Sequence, residues 1–353
     1  MRPAPARRPC TAVVMAAMLA AVATPFLAAG AAQDARPRVV VLTTGGTIAS
    51  RVGAPMRDGG ALVDAVPELE DHAALTVEEI ARVGSSQITP DHWLALARRI
   101  NTRFAGDAGL SGIVVTHGTD TLEDSAFFLQ ETVRDRRPVV VTGSMRSSNE
   151  ISADGPANLL NAVRVAVSPD ARGKGVLVVL NEDIASARDV WKTDNRRVET
   201  FRSPELGFLG FVDPDGVVFY RAPLKPHTAD AEFVLDGVDH LPEVALLTDY
   251  PGFDGGLADA LVARRPAGLV VAGFAGGRLS AGGRHAVEVA AKAGIPVVVA
   301  SHVPGGRIVG NPLGTLDAAL ARDLSPNKAR VLLMLALTRT RDLTRLQAIF
   351  DRY

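Results

Sequence analysis

The sequence predicts an α/β protein: a larger N-terminal domain, built on a parallel sheet with helices on both faces, followed by a smaller C-terminal α/β domain. Three observations carry that expectation. Apolar runs of strand length recur at residues 39–42, 113–115, 139–141, 176–180, 244–247, 269–272 and 297–300. They are apolar throughout rather than alternating, as strands buried on both faces require. Segments of helical period lie between them, and strand–helix–strand alternation makes crossover connections, hence parallel pairing.

The elements follow in order. Residues 1–31 read as an export signal. Arg2, Arg7 and Arg8 form a basic start, 11–29 is small, apolar and uncharged, and Ala29-Gly30-Ala31 is an A-x-A-like cleavage site. Alanine richness and Pro25 speak against a membrane anchor, so a periplasmic mature chain starting near Ala32 is expected. The N-terminal domain is expected over 32–221. Its run at 39–42 leads into Thr43-Thr44-Gly45-Gly46-Thr47-Ile48, and its run at 113–115 into Thr116-His117-Gly118-Thr119-Asp120-Thr121. Beyond the second turn, Leu122, Ala126, Leu129 and Val133 recur at helical spacing, with Thr121 as the expected N-cap. Prolines, mixed charge and no period mark 222–242 as a linker. The C-terminal domain, 243–353, should carry a helix at 286–293 and end on a helix capped by Ser325, with Pro326 at its first position.

The chain has 353 residues, 47% hydrophobic and 22% charged, with a formal net charge of −1. Such a composition suits large packed cores and shows no basic surplus of the kind that binds nucleic acid. Cys10 is the only cysteine and lies in the leader, so an exported mature chain holds no disulfide. The histidines lack metal-ligand spacing, and P-loop, GxSxG and HExxH motifs are absent. No metal or cofactor is expected. His117 reads as a structural, hydrogen-bonding residue, and Gly273-Phe274-Ala275-Gly276-Gly277 as a turn rather than a phosphate loop.

The two threonine-rich turns concentrate the chemistry. Residues just past the carboxyl ends of strands line the ligand crevice of an open α/β sheet. Glycines there permit close backbone approach and leave N–H groups free for a developing oxyanion. A threonine hydroxyl is a nucleophile once a neighbour removes its proton.

TTGGTIAS and THGTDTLEDSAFFL together resemble the two signature segments of the bacterial exported (type II) L-asparaginase and glutaminase-asparaginase family. Val141-Thr142-Gly143-Ser144-Met145-Arg146, Ser152-Ala153-Asp154-Gly155-Pro156-Ala157-Asn158-Leu159, Arg188-Asp189-Val190-Trp191-Lys192-Thr193 and the final SPNKARVLLMLALTRT fit in the same order. The resemblance spans nearly all of the chain after residue 37. It implies an amidohydrolase that converts L-asparagine to L-aspartate and ammonia, working as a homotetramer on a small amino-acid substrate. Thr119, Asp120 and Lys192 would form one catalytic triad, and Thr47 would belong to a second. Gly46, Ser86, Gln87, Gly118 and Ser144 would bind substrate: Ser86-Gln87 at its α-carboxylate, Gly118 at the tetrahedral oxygen, Ser144 near the scissile amide. Asp120 would hold its α-ammonium. The family leaves open which threonine attacks. Lys192 acts as a base only when neutral; as an isolated residue it would read as an ion-pair partner that positions Thr119.

One departure is serious. Family members usually carry a tyrosine, after the first turn, within reach of the first threonine. Residues 49–67 contain none, and the acid that a neighbouring subunit supplies to the same triad has no clear counterpart. Gly53, Gly59 and Gly60 suggest a mobile lid there. Asp249 or Tyr250 falls where the family places groups near a neighbour's site. Mixed glutaminase-asparaginase activity is the alternative within the class, since one methylene is worth only about 1–3 kcal/mol in a pocket. A non-catalytic periplasmic amino-acid binder on the same fold is the alternative outside it. A tRNA-linked amidotransferase subunit fits poorly with the leader and the lack of basic surplus.

Overall fold

The structure, a computed structural model, describes Met1 and residues 36–353; the expected signal and cleavage site lie outside the described residues. In chain order the strands are β1 (Arg38–Gly45), β2 (Ala74–Val83), β3 (Leu110–Thr116), β4 (Val139–Thr142), β5 (Val176–Leu180), β6 (Asp183–Ser186), β7 (Trp191–Lys192), β8 (Phe201–Arg202), β9 (Gly210–Asp213), β10 (Gly216–Phe219), β11 (Val244–Thr248), β12 (Gly268–Gly273), β13 (Val297–Ser301) and β14 (Ala319–Leu320). The helices are α1 (Gly59–Val63), α2 (Pro90–Gly106), α3 (Leu122–Thr132), α4 (Gly155–Val167), α5 (Gly256–Ala263), α6 (Ala281–Lys292), α7 (Pro326–Leu337) and α8 (Leu343–Arg352). Every apolar run expected to be a strand is one.

The larger sheet has eight strands in the order β10-β9-β6-β5-β4-β3-β1-β2, and the smaller has four, β11-β12-β13-β14, all parallel. In the larger sheet, successive side chains of β1 face opposite layers. Val40 and Leu42 join a core with Trp93, Leu96 and Ile100 of α2 and Phe127 and Phe128 of α3. Val39 and Val41 join another with Leu159, Ala162 and Val163 of α4. The first core extends through Val331, Leu332 and Leu335 of α7 to Val270 and Val298 of the smaller sheet. Both sheets are therefore packed through one helix.

Four differences from expectation have local causes. Pairing is parallel only from β2 to β5; β6, β9 and β10 are antiparallel. Asn181 and Glu182, with φ of 51° and 67°, turn β5 straight back into β6, and so tight a turn allows only antiparallel pairing. Strand β2 was not evident because its Glu78 and Glu79 break the apolar pattern; it is an edge strand, and Glu78 is paired with Arg99 and Arg103 of α2. Helix α6 starts before the expected residue 286, because Ser280 caps it by accepting from Gly283 N. Thr121 sits at the N-cap of α3 but makes no cap bond; its hydroxyl donates to Ser85 O at 2.8 Å.

The stretch 222–242 contains no strand, and it packs rather than dangles: Ala231, Phe233 and Leu235 are buried, and Phe233 lies 5.3 Å from the Tyr353 ring. Ser325 and Pro326 open α7 as expected, Ser325 accepting from Lys328 N. No described helix is long and apolar enough to cross a membrane.

Candidate active site

The two threonine-rich turns meet through their glycines. Gly46 has φ +79°, and a Cβ there would fall 2.2 Å from Gly118 Cα, so the backbones touch only because neither residue has a side chain. A Cβ on Gly118 would in turn lie 2.8 Å from the Ser85 side chain. The Thr44 hydroxyl ties the strands beneath by donating to Thr116 O at 3.0 Å, and Gly46 N donates to Val83 O at 3.0 Å. Thr47 and Thr119, each one residue further on, flank this contact at the carboxyl ends of β1 and β3. Thr47 is half-buried, and among the described residues no side chain hydrogen-bonds its hydroxyl.

Lys192, brought in on the two-residue strand β7, joins Thr119 and Asp120. Its Nζ donates to Thr119 Oγ1 at 2.9 Å and to Asp120 Oδ1 at 2.8 Å. The Lys192 side chain is 17% exposed and that of Asp120 66%. The carboxylate thus faces outward, able to receive a ligand's ammonium, while the amine sits beneath it against the hydroxyl. The Lys192 hydrogen bond holds the Asp120 carboxyl below its ordinary value, burial opposes this, and Ser85 adds to the lowering. Ser86 and Gln87 are exposed in a short 3-10 turn (Ser85–Gln87) beside Asp120, whose N donates to Ser85 Oγ at 3.2 Å. An open cavity of about 720 Å³ is lined by Asp120, Glu123, Lys192 and residues 193–197. Its lining includes neither threonine, so it is the outer side of this cluster rather than the space between the turns.

Ser144 is fully buried and its hydroxyl donates to Arg146 O at 2.8 Å, so it shapes its own turn instead of presenting a free hydroxyl. Asp249 is likewise committed, accepting from Ser280 N at 2.7 Å and from the Ser280 hydroxyl at 2.6 Å, and it is 1% exposed. Within its own chain Asp249 is thus engaged by Ser280, while Tyr250 is half exposed. In the expected lid segment, Gly53 supplies a positive φ of 75°. Gly59 is a packing position, since a Cβ there would meet Val77 and Thr43.

His117 is the structural, hydrogen-bonding residue the sequence suggested, and the residues sequence reasoning missed are Ser125, Trp93 and Glu123, with the supporting role of Asp154. His117 is buried between Ser125 Oγ, 2.9 Å from Nε2, and Gly118 O, 2.7 Å from Nδ1. Trp93 Nε1 donates to that same Ser125 oxygen at 2.7 Å. An indole only donates, so the serine proton goes to Nε2 and the histidine proton is on Nδ1, where it donates to the Gly118 carbonyl. Burial lowers the His117 pKa to about 4. Asp154 Oδ2 and Oδ1 accept from Met145 N and Arg146 N, both at 2.9 Å. Glu123 accepts from Lys192 N at 2.6 Å. Its position in the first turn after Thr119-Asp120 was the available signal. Among the described residues there is no group of three or more metal-ligating side chains.

A parallel sheet ending in glycine turns, with a hydroxyl, an ammonium and a carboxylate in contact, defines an α/β protein with a site for a small polar molecule. The chain belongs to the asparaginase family: the model described as "Asparaginase, N-terminal" matches residues 38–225, and "Glutaminase/Asparaginase C-terminal domain" matches 243–350. It is 43% identical over 327 residues to a Bacillus subtilis (strain 168) protein named L-asparaginase 2, covering 90% of this chain and 87% of that one. It is 39% identical to the glutaminase-asparaginase of Pseudomonas fluorescens biotype A, covering 89% and 90%. The crystal structure of a probable cytoplasmic L-asparaginase from Campylobacter jejuni superposes with a TM-score of 0.86 at 42% identity, covering 90% of this chain and 100% of that one.

Proposed function

We infer that the protein is an L-asparaginase, an amidohydrolase that converts L-asparagine to L-aspartate and ammonia. The observation that carries this reading is Lys192 bridging Thr119 and Asp120, beside the glycine contact of the two turns, in a chain of this family. In the mechanism we propose, the Thr47 hydroxyl attacks the side-chain amide carbon. The Oγ–C bond forms, the C–N bond breaks, and the hydroxyl proton leaves with ammonia. Water then cleaves the acyl-enzyme to release aspartate. Gly118 and the amides around Thr119 stabilise the tetrahedral oxygen. Asp120 holds the α-ammonium, Ser86 and Gln87 the α-carboxylate, and Gly46 and Ser144 shape the wall. Thr119 with Lys192 activates the water, or takes over the attack, in a site that has no lid tyrosine.

We also propose that residues 1–31 are cleaved on export, that the mature chain works in the periplasm as a homotetramer, and that 222–242 separates the two domains. The test is ammonia release by the purified mature chain. Asparagine should be turned over with a higher kcat/KM than glutamine. Comparable values for both would establish the mixed glutaminase-asparaginase, and binding without ammonia release from either would sink the enzyme reading. N-terminal sequencing of exported material should begin near Ala32.

A further inference from the structure

We propose that Glu123 and Lys328 are positioning residues for Lys192, so that the C-terminal domain sets the catalytic lysine of its own chain through helix α7. This rests on the reading of Lys192 given above.

The need for such bracing follows from the local fold. Strand β7 is two residues long and pairs only with β8, outside both large sheets. Its register alone fixes Lys192 weakly. Two side chains from other elements hold the segment. From one side, Glu123 Oε2 accepts the Lys192 N–H at 2.6 Å. Glu123 stands in the first turn of α3, whose lead-in carries Thr119 and Asp120. One helix end therefore indexes the hydroxyl, the carboxylate and the main chain of the lysine that joins them. From the other side, Lys328 Nζ donates to Arg188 O at 2.8 Å and to Val190 O at 2.5 Å, the carbonyls just ahead of Lys192.

Lys328 is 3% exposed among Ala329, Val331 and Leu332, which are buried. An ammonium there is costly, and packing alone would favour an apolar residue. Burial lowers its pKa, and the Glu123 carboxylate is the first charge opposing that effect. The two braces therefore hold the same short segment, one at the Lys192 N–H and the other at the Arg188 and Val190 carbonyls. Arg188 anchors the same segment further back, with Nε donating to Tyr353 O at 2.8 Å and Nη1 to Asp323 at 2.9 Å. A misplacement of about 1 Å at a reacting group can cost on the order of 100-fold in rate.

The experiment measures kcat and KM for full-length mature variants, each checked for folding by circular dichroism. Glu123→Gln keeps an oxygen that accepts the Lys192 N–H, and should retain kcat within about threefold. Glu123→Asp keeps the charge but withdraws the acceptor, and should lose at least about tenfold in kcat with little change in KM. Lys328→Met should behave like Glu123→Asp; Lys328→Gln, which keeps an amide NH2 on a shorter side chain, is measured beside it in case the methionine variant does not fold. In a Lys192→Met background neither Glu123→Asp nor the Lys328 variant should reduce kcat further, because both act through Lys192. A role of charge alone predicts the opposite order, Asp retained and Gln crippled, and that result overturns the proposal. So do losses that multiply with Lys192→Met. Wild-type turnover in Lys192→Met itself overturns the underlying triad, an outcome distinct from additive losses.

Discussion

At the scale of single residues, the cluster of Thr119, Asp120 and Lys192 makes the sharpest predictions. Thr119→Val removes one hydroxyl at nearly constant shape, and Lys192→Met removes the amine at nearly constant length. Each should lower kcat by at least about 100-fold, the usual size of an acid–base contribution. Trapping with a slow substrate analogue should give an adduct on Thr47, and Thr47→Val should abolish it; an adduct on Thr119 would reverse the two roles. His117 carries a prediction of another kind. Its pKa is about 4 in the folded protein against an ordinary 6.5. The unfolded chain therefore binds a proton that the folded one refuses, so stability present above pH 6.5 is lost as pH falls toward 4. The full effect is roughly 3 kcal/mol. Urea unfolding of wild type and His117→Gln should show the wild-type advantage shrinking by an amount of that order between pH 7 and pH 4. A pH-independent difference would remove this account of the residue.

At the scale of elements, the turn after Thr47 is tied down. Val52 N donates to Asn149 Oδ1 at 2.9 Å, and Asn149 Nδ2 donates back to Val52 O at 3.1 Å. Ser148 N and its hydroxyl both donate to Ser50 O, at 3.0 and 2.9 Å. A turn without a tyrosine is thus latched to the loop before α4. Each such bond is worth about 0.5–1.5 kcal/mol net. Asn149→Ala should speed amide exchange at Val52 by roughly tenfold, with a several-fold rise in KM if the turn closes over substrate. Unchanged exchange would mean that the latch does not govern the motion.

At the scale of the whole molecule, the two sheets share α7, and through Lys328 that helix also reaches the segment of Lys192. Asp249 is engaged by Ser280 within its own chain, whereas Tyr250 is half exposed and available to a neighbour's site. Sedimentation of the mature protein at assay concentration should show an active tetramer, and Tyr250→Ala should lower kcat/KM without dissociating it. An active monomer would exclude a shared site.

The sequence by itself determined the strands with uniform apolar runs, the two threonine turns at their ends and the cap of α7, whereas the grouping of Thr119 and Asp120 with Lys192 was implied by the family resemblance. Those strands, turns and cap are legible because burial on both faces leaves a continuous local signature, and because turns and caps demand particular residues at particular offsets. Only the tertiary structure decided the rest. The edge strand β2 hides its period behind charges that pair with α2. Ser144 and Asp249 read as free polar groups until their partners were placed. The brace on Lys192 joins residues 69 positions apart at Glu123, and its other arm spans 140 positions from Lys328 to Arg188. A polar contact at such separation is made by packing of whole elements, and no periodicity along the chain records which buried donor will meet which acceptor.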